Sequence, residues 1–210
     1  DVVTDDMPFL VDSITMLVYR RGLAIHRLLH PLLGAERGPD GGLQRITPHG
    51  GQGSRTESWI HLEIDRIGDS LLVEQLHREI ADVLGDVRAA VEDGPAMQQQ
   101  MRVTEEEVGT AEVAESDEVA AYLRWIAANN FVFLGFADYC VATGDCTLSR
   151  VADSGLGILR HTDHPLFGRC LAGIPGEIAE LAREPLPAIL VKADARSTVH
   201  RSAYLDFIGV

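Results

Sequence analysis

Cysteine is scarce and odd in number: Cys140, Cys146 and Cys170 are the only three in 210 residues. A chain this long does not depend on disulfides, so free thiols are the simplest reading. A Cys140 to Cys146 bridge across a hairpin, or a metal site completed by His161 and His164, is the alternative; the spacings match no zinc pattern, and no metal is expected. Positive charge is also in short supply, with 18 Lys and Arg against 32 Asp and Glu and a net charge of −14. Such a field repels phosphate backbones and argues against nucleic acid and anionic membrane surfaces as partners. No run approaches the ~18 consecutive apolar residues of a membrane span, and the opening lacks the basic and apolar regions of a secretory signal.

Catalytic signatures are missing too. There is no GxSxG, no P-loop and no HExxH. A GxG at Gly155 and Gly157 follows a turn, lacks the third glycine and has no acidic residue placed to read a ribose. His161 and His164 before Pro165 read as the polar start of a loop. No general base, nucleophile and orienting partner can be nominated from spacing, so the chain reads as a non-catalytic module.

What is there is the composition of a globular protein, 46% apolar and 24% charged, long enough for one large domain or two small ones. After a strand at Val2, Leu10, Ile14, Leu17 and Val18 recur at helical spacing, with Pro8 in the first turn and Gly22 at the stop. Leu23 to Leu33 reads as a strand ending near Pro31, and the stretch from Gly34 to Arg55, with seven glycines and two prolines, as a loop of low order. From Trp59 to Asp65 apolar and polar residues alternate without error, the cleanest strand in the chain. Leu72, Leu76, Ile80, Val83 and Leu84 share a helical face closing near Gly85, and Val87, Ala89 and Val91 then suggest a short strand. The order is strand, helix, strand, strand, helix, strand.

Between Val91 and Ala120 nine acids stand against one base, Arg102, so this stretch carries −8 of the −14. It reads as a solvated helical connector, with a regulatory docking surface as the alternative. Val119, Leu123, Ile126 and Ala127 mark a further helix. Phe131 to Val141 and Thr147 to Val151 form a hairpin across the turn at 142–145. Short helices around 165–171 and 175–183, a strand from Ala188 to Lys192 and a last strand from Tyr204 follow. Between those strands Arg196, Ser197, Thr198, His200 and Arg201, with Lys192 nearby, collect donors able to hold a carboxylate or phosphate. The alternative is a plain strand connection whose hydroxyls satisfy backbone groups and whose bases pair with acids. The chain begins without Met, and its last seven residues alternate like a strand cut short, so it is expected to be a segment of a longer protein.

The segment DMPFL at residues 6–10, with its spacing to Ile14, Leu17 and the glycine before the second strand, resembles the D-x-P-G-L opening of ACT domains. Phe9 departs from that pattern. It stands where the family has a glycine that lets the backbone approach an amino-acid effector across a paired interface, and a bulky side chain there counts against a ligand. A longer resemblance runs through VVTDDMPFLVDS (2–13), ESWIHLEID (57–65), DVRAAVED (86–93), FLGF (133–136), SGLGILR (154–160) and STVHR (197–201). In this order they resemble the N-terminal region of the large bacterial NAD-specific glutamate dehydrogenases.

That resemblance implies an α+β fold: an ACT-like βαββαβ sandwich over 1–93, an acidic helical connector over 94–130, and a second mixed α/β, PAS-like domain over 131–210, incomplete at its end. It implies a regulatory or assembly segment without cofactor of its own, in a cytoplasmic homo-oligomeric enzyme that uses NAD to convert L-glutamate to 2-oxoglutarate. Its expected partners are the rest of the polypeptide, other subunits and an amino-acid effector. Such an effector would sit at Asp5, Asp6, Met7, Phe9 and Asp12, main-chain donors at the helix start meeting its carboxylate and the aspartates its ammonium. The contrasting expectation is a structural scaffold with no small-molecule ligand, marked by exposed apolar sheet faces.

Overall fold

Strand β5, Arg55–Ile64, organises the first half of the chain. In the computed structural model, which describes residues 1–48, 54–141, 148–161 and 180–210, one of its edges pairs antiparallel with β1, Val2–Asp5, Val3 lying opposite Trp59. Its other edge pairs with β2, Ile25–Leu29, and then with β3, Leu32–Arg37. The two share one register: Leu29 lies opposite His61, Leu32 opposite Ser58, and between them the Trp59 N–H donates to the Pro31 carbonyl at 3.1 Å. Pro31 has no N–H to give back, so the ladder is interrupted there without slipping. A fifth strand, β4, Leu43–Pro48, extends the sheet beyond β3.

Helix α1, Leu10–Arg20, buries the residues its spacing selects: Leu10, Ile14, Leu17 and Val18 are each 8% exposed or less. At its end Gly22 takes φ 73 and donates its N–H to the Tyr19 carbonyl. Helix α2, Ser70–Glu92, follows the sheet.

The strand from Leu23 ends near Pro31 as its pattern predicts, and a separate strand, β3, starts at Leu32. Two expectations are corrected. Residues 34–48 are not a loop, because β3 and β4 form a hairpin whose tight turn joins the Gly38 N–H to the Gly42 carbonyl, with Gly41 at φ 78. Of its glycines, Gly41 serves the turn and Gly34 lies close to Thr47 and Ser54, while residues 49–53 lie outside the described residues. The strand expected over Asp86 to Glu92 is the end of α2, since Val83, Val87 and Ala90, at helical spacing, bury together. No Cβ position at Gly85 meets another atom within 4 Å, so the helix passes through that glycine. The final strand of the βαββαβ pattern is thus absent here, and the sheet runs β1-β5-β3-β4 with β2 on β5.

Two compact units divide the chain: Asp1–Val87 with Thr198–Arg201, and Arg88–Ser197 with Ser202–Val210. In the second, α3 (Gly94–Thr110) and α4 (Ser116–Trp125), which ends in a π turn over Ile126–Asn130, pack through Val108, Ala120, Leu123 and Ile126. Phe131, Phe133 and Ile208 join this cluster. Arg124 meets Glu105 of α3 at 2.7 Å, so part of the acidic run is paired within its own helices. The expected hairpin is shorter than its pattern, β7 (Tyr139–Val141) pairing with β8 (Leu148–Arg150). Before it β6 (Gly135–Phe136) pairs with β9 (Leu156–Gly157). β10 (Ile189–Arg196) and β11 (Tyr204–Gly209) form the last ladder. The turn at 142–145, Cys146, His164, Cys170 and nearly all of the helices expected over 165–183 lie outside the described residues. Among those described, no helix is long and apolar enough to cross a membrane.

Candidate functional site

Where β1 hands over to α1, the chain turns through Asp5 to Phe9. The Asp6 N–H donates to the Thr56 carbonyl at 3.2 Å, and its carboxylate accepts the Ser58 hydroxyl at 2.7 Å. His30 Nε2 lies 3.0 Å from the same hydroxyl, and Ser58 is fully buried. Phe9, just before the helix, has φ 72 and ψ −1. A phenyl-bearing residue in the left-handed region costs on the order of 1 kcal/mol and persists only where its surroundings hold it.

What holds it is a second segment. The Phe9 and His200 rings lie with centroids 5.1 Å apart at a 50° tilt. The His200 N–H donates to Ser13 Oγ at 2.9 Å, and His200 Nδ1 lies 3.0 Å from Asp12 Oδ2. Thr198 donates its hydroxyl to Asp86 of α2 at 2.6 Å. His200 is itself left-handed, at φ 64. Ser13, Val199 and Asp86 are buried, so the contact is desolvated at its centre. Two groups read separately from the sequence, the Asp5 to Asp12 turn and the STVHR run, thus meet at one place. Ser13 and Asp86 were not singled out there: a serine between apolar helix positions carries no local sign that its partner lies 187 residues away.

The remaining candidates have other occupations. Asp5 pairs with Arg55 at 3.3 Å, and Met7 is half-buried. All three aspartates of the effector candidate therefore have protein partners. Of the anion candidate, Lys192 Nζ sits 2.5 Å from Asp206, and Arg196 donates to the Ser202 carbonyl at 2.9 Å with its guanidinium 4.4 Å from the Tyr204 ring centroid. The Ser197 N–H donates to the Ala203 carbonyl, and the Arg201 N–H to that of Val199. Lys192, Arg196 and Ser197 belong to the second unit, His200 and Arg201 to the first.

The GxG is also engaged by protein. Asp93, at the start of α3, accepts the Gly157 N–H at 2.7 Å and pairs with Arg160 at 2.8 Å, and Arg160 also reaches Glu92. The Arg160 hydrogen bond, aided by the Gly157 N–H and opposed by partial burial, holds the Asp93 carboxyl below its ordinary range. Gly157 stands at φ 61, and a Cβ there would strike the Leu134 carbonyl, so packing accounts for this glycine. Cys140 is an exposed thiol outside any disulfide, and His161 is exposed. Among the described residues no group of three or more His, Cys, Asp or Glu is arranged to hold a metal ion.

The family model for the glutamate dehydrogenase ACT1 domain matches residues 1–80. The NAD-specific glutamate dehydrogenase of Pseudomonas aeruginosa is 36% identical over 218 aligned residues, which take in 100% of this chain and 13% of that protein. That of Halomonas elongata is 31% identical over 100% of the chain and 14% of its own length, and that of Mycobacterium tuberculosis 30% over 76% and 10%. The chain thus spans a small fraction of the relatives it matches. No solved structure matches it. An ACT1 match at the front of the chain and relatives aligned along all of it give one assignment: this chain belongs to the large NAD-specific glutamate dehydrogenases, as an N-terminal region of that family.

Proposed function

We propose that the chain is a non-catalytic regulatory and assembly segment of a large glutamate dehydrogenase whose whole-length reaction takes L-glutamate and NAD to 2-oxoglutarate and ammonium. On this reading glutamate and NAD bind elsewhere in the polypeptide and the segment has no cofactor of its own. The first unit is an ACT-like module without the final strand of the βαββαβ pattern, and the second is PAS-like. The partners are the rest of the polypeptide and the other subunits of a cytoplasmic homo-oligomer.

One observation supports assembly over effector capture. The start of α1, where an amino acid would lay its carboxylate, is covered by the chain's own residues: Phe9 contacts the His200 ring, and Ser13 Oγ accepts the His200 N–H. The carboxylates that would take an ammonium are engaged by Arg55, Ser58 and His200. A ligand would have to displace these contacts before gaining any of its own.

A second reading, amino-acid sensing at this place, draws on the exposure of the Asp12 side chain, 56% accessible beside His200 at 30%. An ammonium could take Asp12 from the imidazole without opening the core. A thermal-shift panel of the common amino acids, 2-oxoglutarate and nucleotides separates the two. A ligand at about 100 times its dissociation constant adds roughly 2.7 kcal/mol. The expected result is no shift from any compound and no glutamate turnover with NAD. A selective shift abolished by Asp12→Ala transfers the assignment to the sensor, and turnover by the chain itself overturns the non-catalytic reading.

A further inference from the structure

Helix α4 buries one side and leaves the other to water. Ala120, Leu123 and the following Ile126 face the cluster with α3, each 5% exposed or less. At about 100° per residue, Glu118, Ala121 and Trp125 fall on the opposite side, and all three are exposed, with Tyr122 half-buried at the flank. Trp125 is 51% exposed and Val132 nearby 43%. The Tyr122 and Trp125 rings stack at 6.1 Å with 21° between their planes, and Phe131 meets Trp125 edge-on at 5.9 Å. These two contacts fix the indole while half of it stays in water, which marks a preorganised surface rather than a stray apolar side chain.

The charge around it is one-sided. Between Gly94 and Trp125 seven carboxylates stand against two arginines. Arg124 is engaged by Glu105 at 2.7 Å, and Arg102 donates to Gln99 Oε1 rather than to an acid. Glu118 has no cationic partner among the described residues. It lies one helical turn from Tyr122 and two from Trp125, so its carboxylate and the rings border the same patch of surface. An apolar partner covering the indole strips water from Glu118 without replacing it, and an acidic one adds repulsion. A second copy of this chain carries −14 and is repelled as a whole. A guanidinium satisfies both halves, since its plane lies on an aromatic face while its N–H groups reach a carboxylate. Lysine supplies the charge without the stacking plane. As for its source, the aligned stretch is 13% and 14% of the two relatives matched along the whole chain, so most of the polypeptide in this family lies outside it. A tethered segment whose linker spans the gap meets such a face at an effective concentration on the order of millimolar, above that of most free proteins.

Resting on the assembly reading above, we infer that the Glu118, Tyr122 and Trp125 face of α4 docks an arginine-bearing segment of the same polypeptide from outside residues 1–210, the arginine lying on the Trp125 ring and paired with Glu118. The test puts a photoreactive benzoylphenylalanine in place of Trp125 in the full-length enzyme and maps the cross-links by peptide mass spectrometry. The expected product joins residue 125 to a peptide outside residues 1–210, with an arginine beside the point of attachment. Glu118→Arg, which sets like charges against each other, is expected to cut the yield about tenfold. Raising salt from about 0.05 to 0.5 M lowers the yield with residue 118 unaltered, which keeps the test decisive if that variant does not fold. The same photoreactive group in place of Leu71, exposed on α2, should not give this product. A product within residues 1–210 of a second copy, on another protein, or at a junction without arginine overturns the inference. So does a yield indifferent to both charge and salt, the same product from position 71, or no product at all. The assembly reading stands or falls separately, by the ligand panel.

Discussion

His200 and Phe9, both in left-handed backbone, face each other ring to ring at 5.1 Å, and the His200 N–H reaches past that contact to the buried Ser13 hydroxyl. Removing the hydroxyl leaves a buried N–H without its acceptor. Ser13→Ala is therefore expected to cost about 1–2 kcal/mol, a fall of roughly 3–6 °C in melting temperature for a chain this size. Hydrogen exchange should rise at the His200 amide while the β1-β5 ladder stays protected.

Phe9 separates ring contact from backbone strain. Phe9→Ala loses the ring and keeps a φ that alanine tolerates poorly, whereas Phe9→Gly loses the ring and relaxes the backbone. The glycine variant should be the more stable of the two by about 1 kcal/mol. Equal denaturant midpoints would mean that the left-handed geometry at Phe9 is not maintained in solution.

The Arg37 and Glu57 pair sets an acid limit. Glu57 is 3% exposed, and the bidentate Arg37 bond, assisted by the Trp59 indole N–H and opposed by burial, keeps its carboxyl below the ordinary value. A group depressed in the folded state stabilises fully above its unfolded pKa, about 4.3 for glutamate. That contribution is lost as pH falls from there through the lower folded value. Urea midpoints measured from pH 7 to about pH 3 should fall less steeply in Glu57→Gln. At neutral pH that variant should already be weaker by about 2 kcal/mol, since a buried charge-assisted bond is gone.

Gly85 tests the helical reading of residues 86–92. It lies inside α2 with open space where a Cβ would go. Gly85→Ala should stabilise the chain by about 0.5–1 kcal/mol by thermal melting. Were Gly85 the turn before a strand, alanine would be neutral or harmful.

Strictly alternating β5 and the four-residue apolar spacing of α1 declare themselves, because one buried face imposes a period on its own residues. Residues 86–92 mislead because Val87, Ala89 and Val91 happen to alternate. The helical partners of Val87 are Val83 and Ala90, and only tertiary burial chooses between the two periods. The β3-β4 hairpin was hidden by its own glycines, which mark a turn as readily as a loop. For the site, both halves were visible as unusual polar runs, yet their junction was not. Nothing local to Asp12 or Ser13 points to His200, and nothing local to Asp93 says that it occupies the Gly157 N–H.

Because Thr198–Arg201 belongs to the same unit as Asp1–Val87, that unit is discontinuous in sequence, and this bears on its synthesis. At roughly 5–20 residues per second, its closing segment leaves the ribosome on the order of 5–20 s after Val87. During that interval Ser13 of α1 and Asp86 of α2 have no His200 or Thr198 to meet. Closing the unit then depends on an encounter over a sequence separation of 187 residues, a kind of contact that slows folding more than it alters final stability.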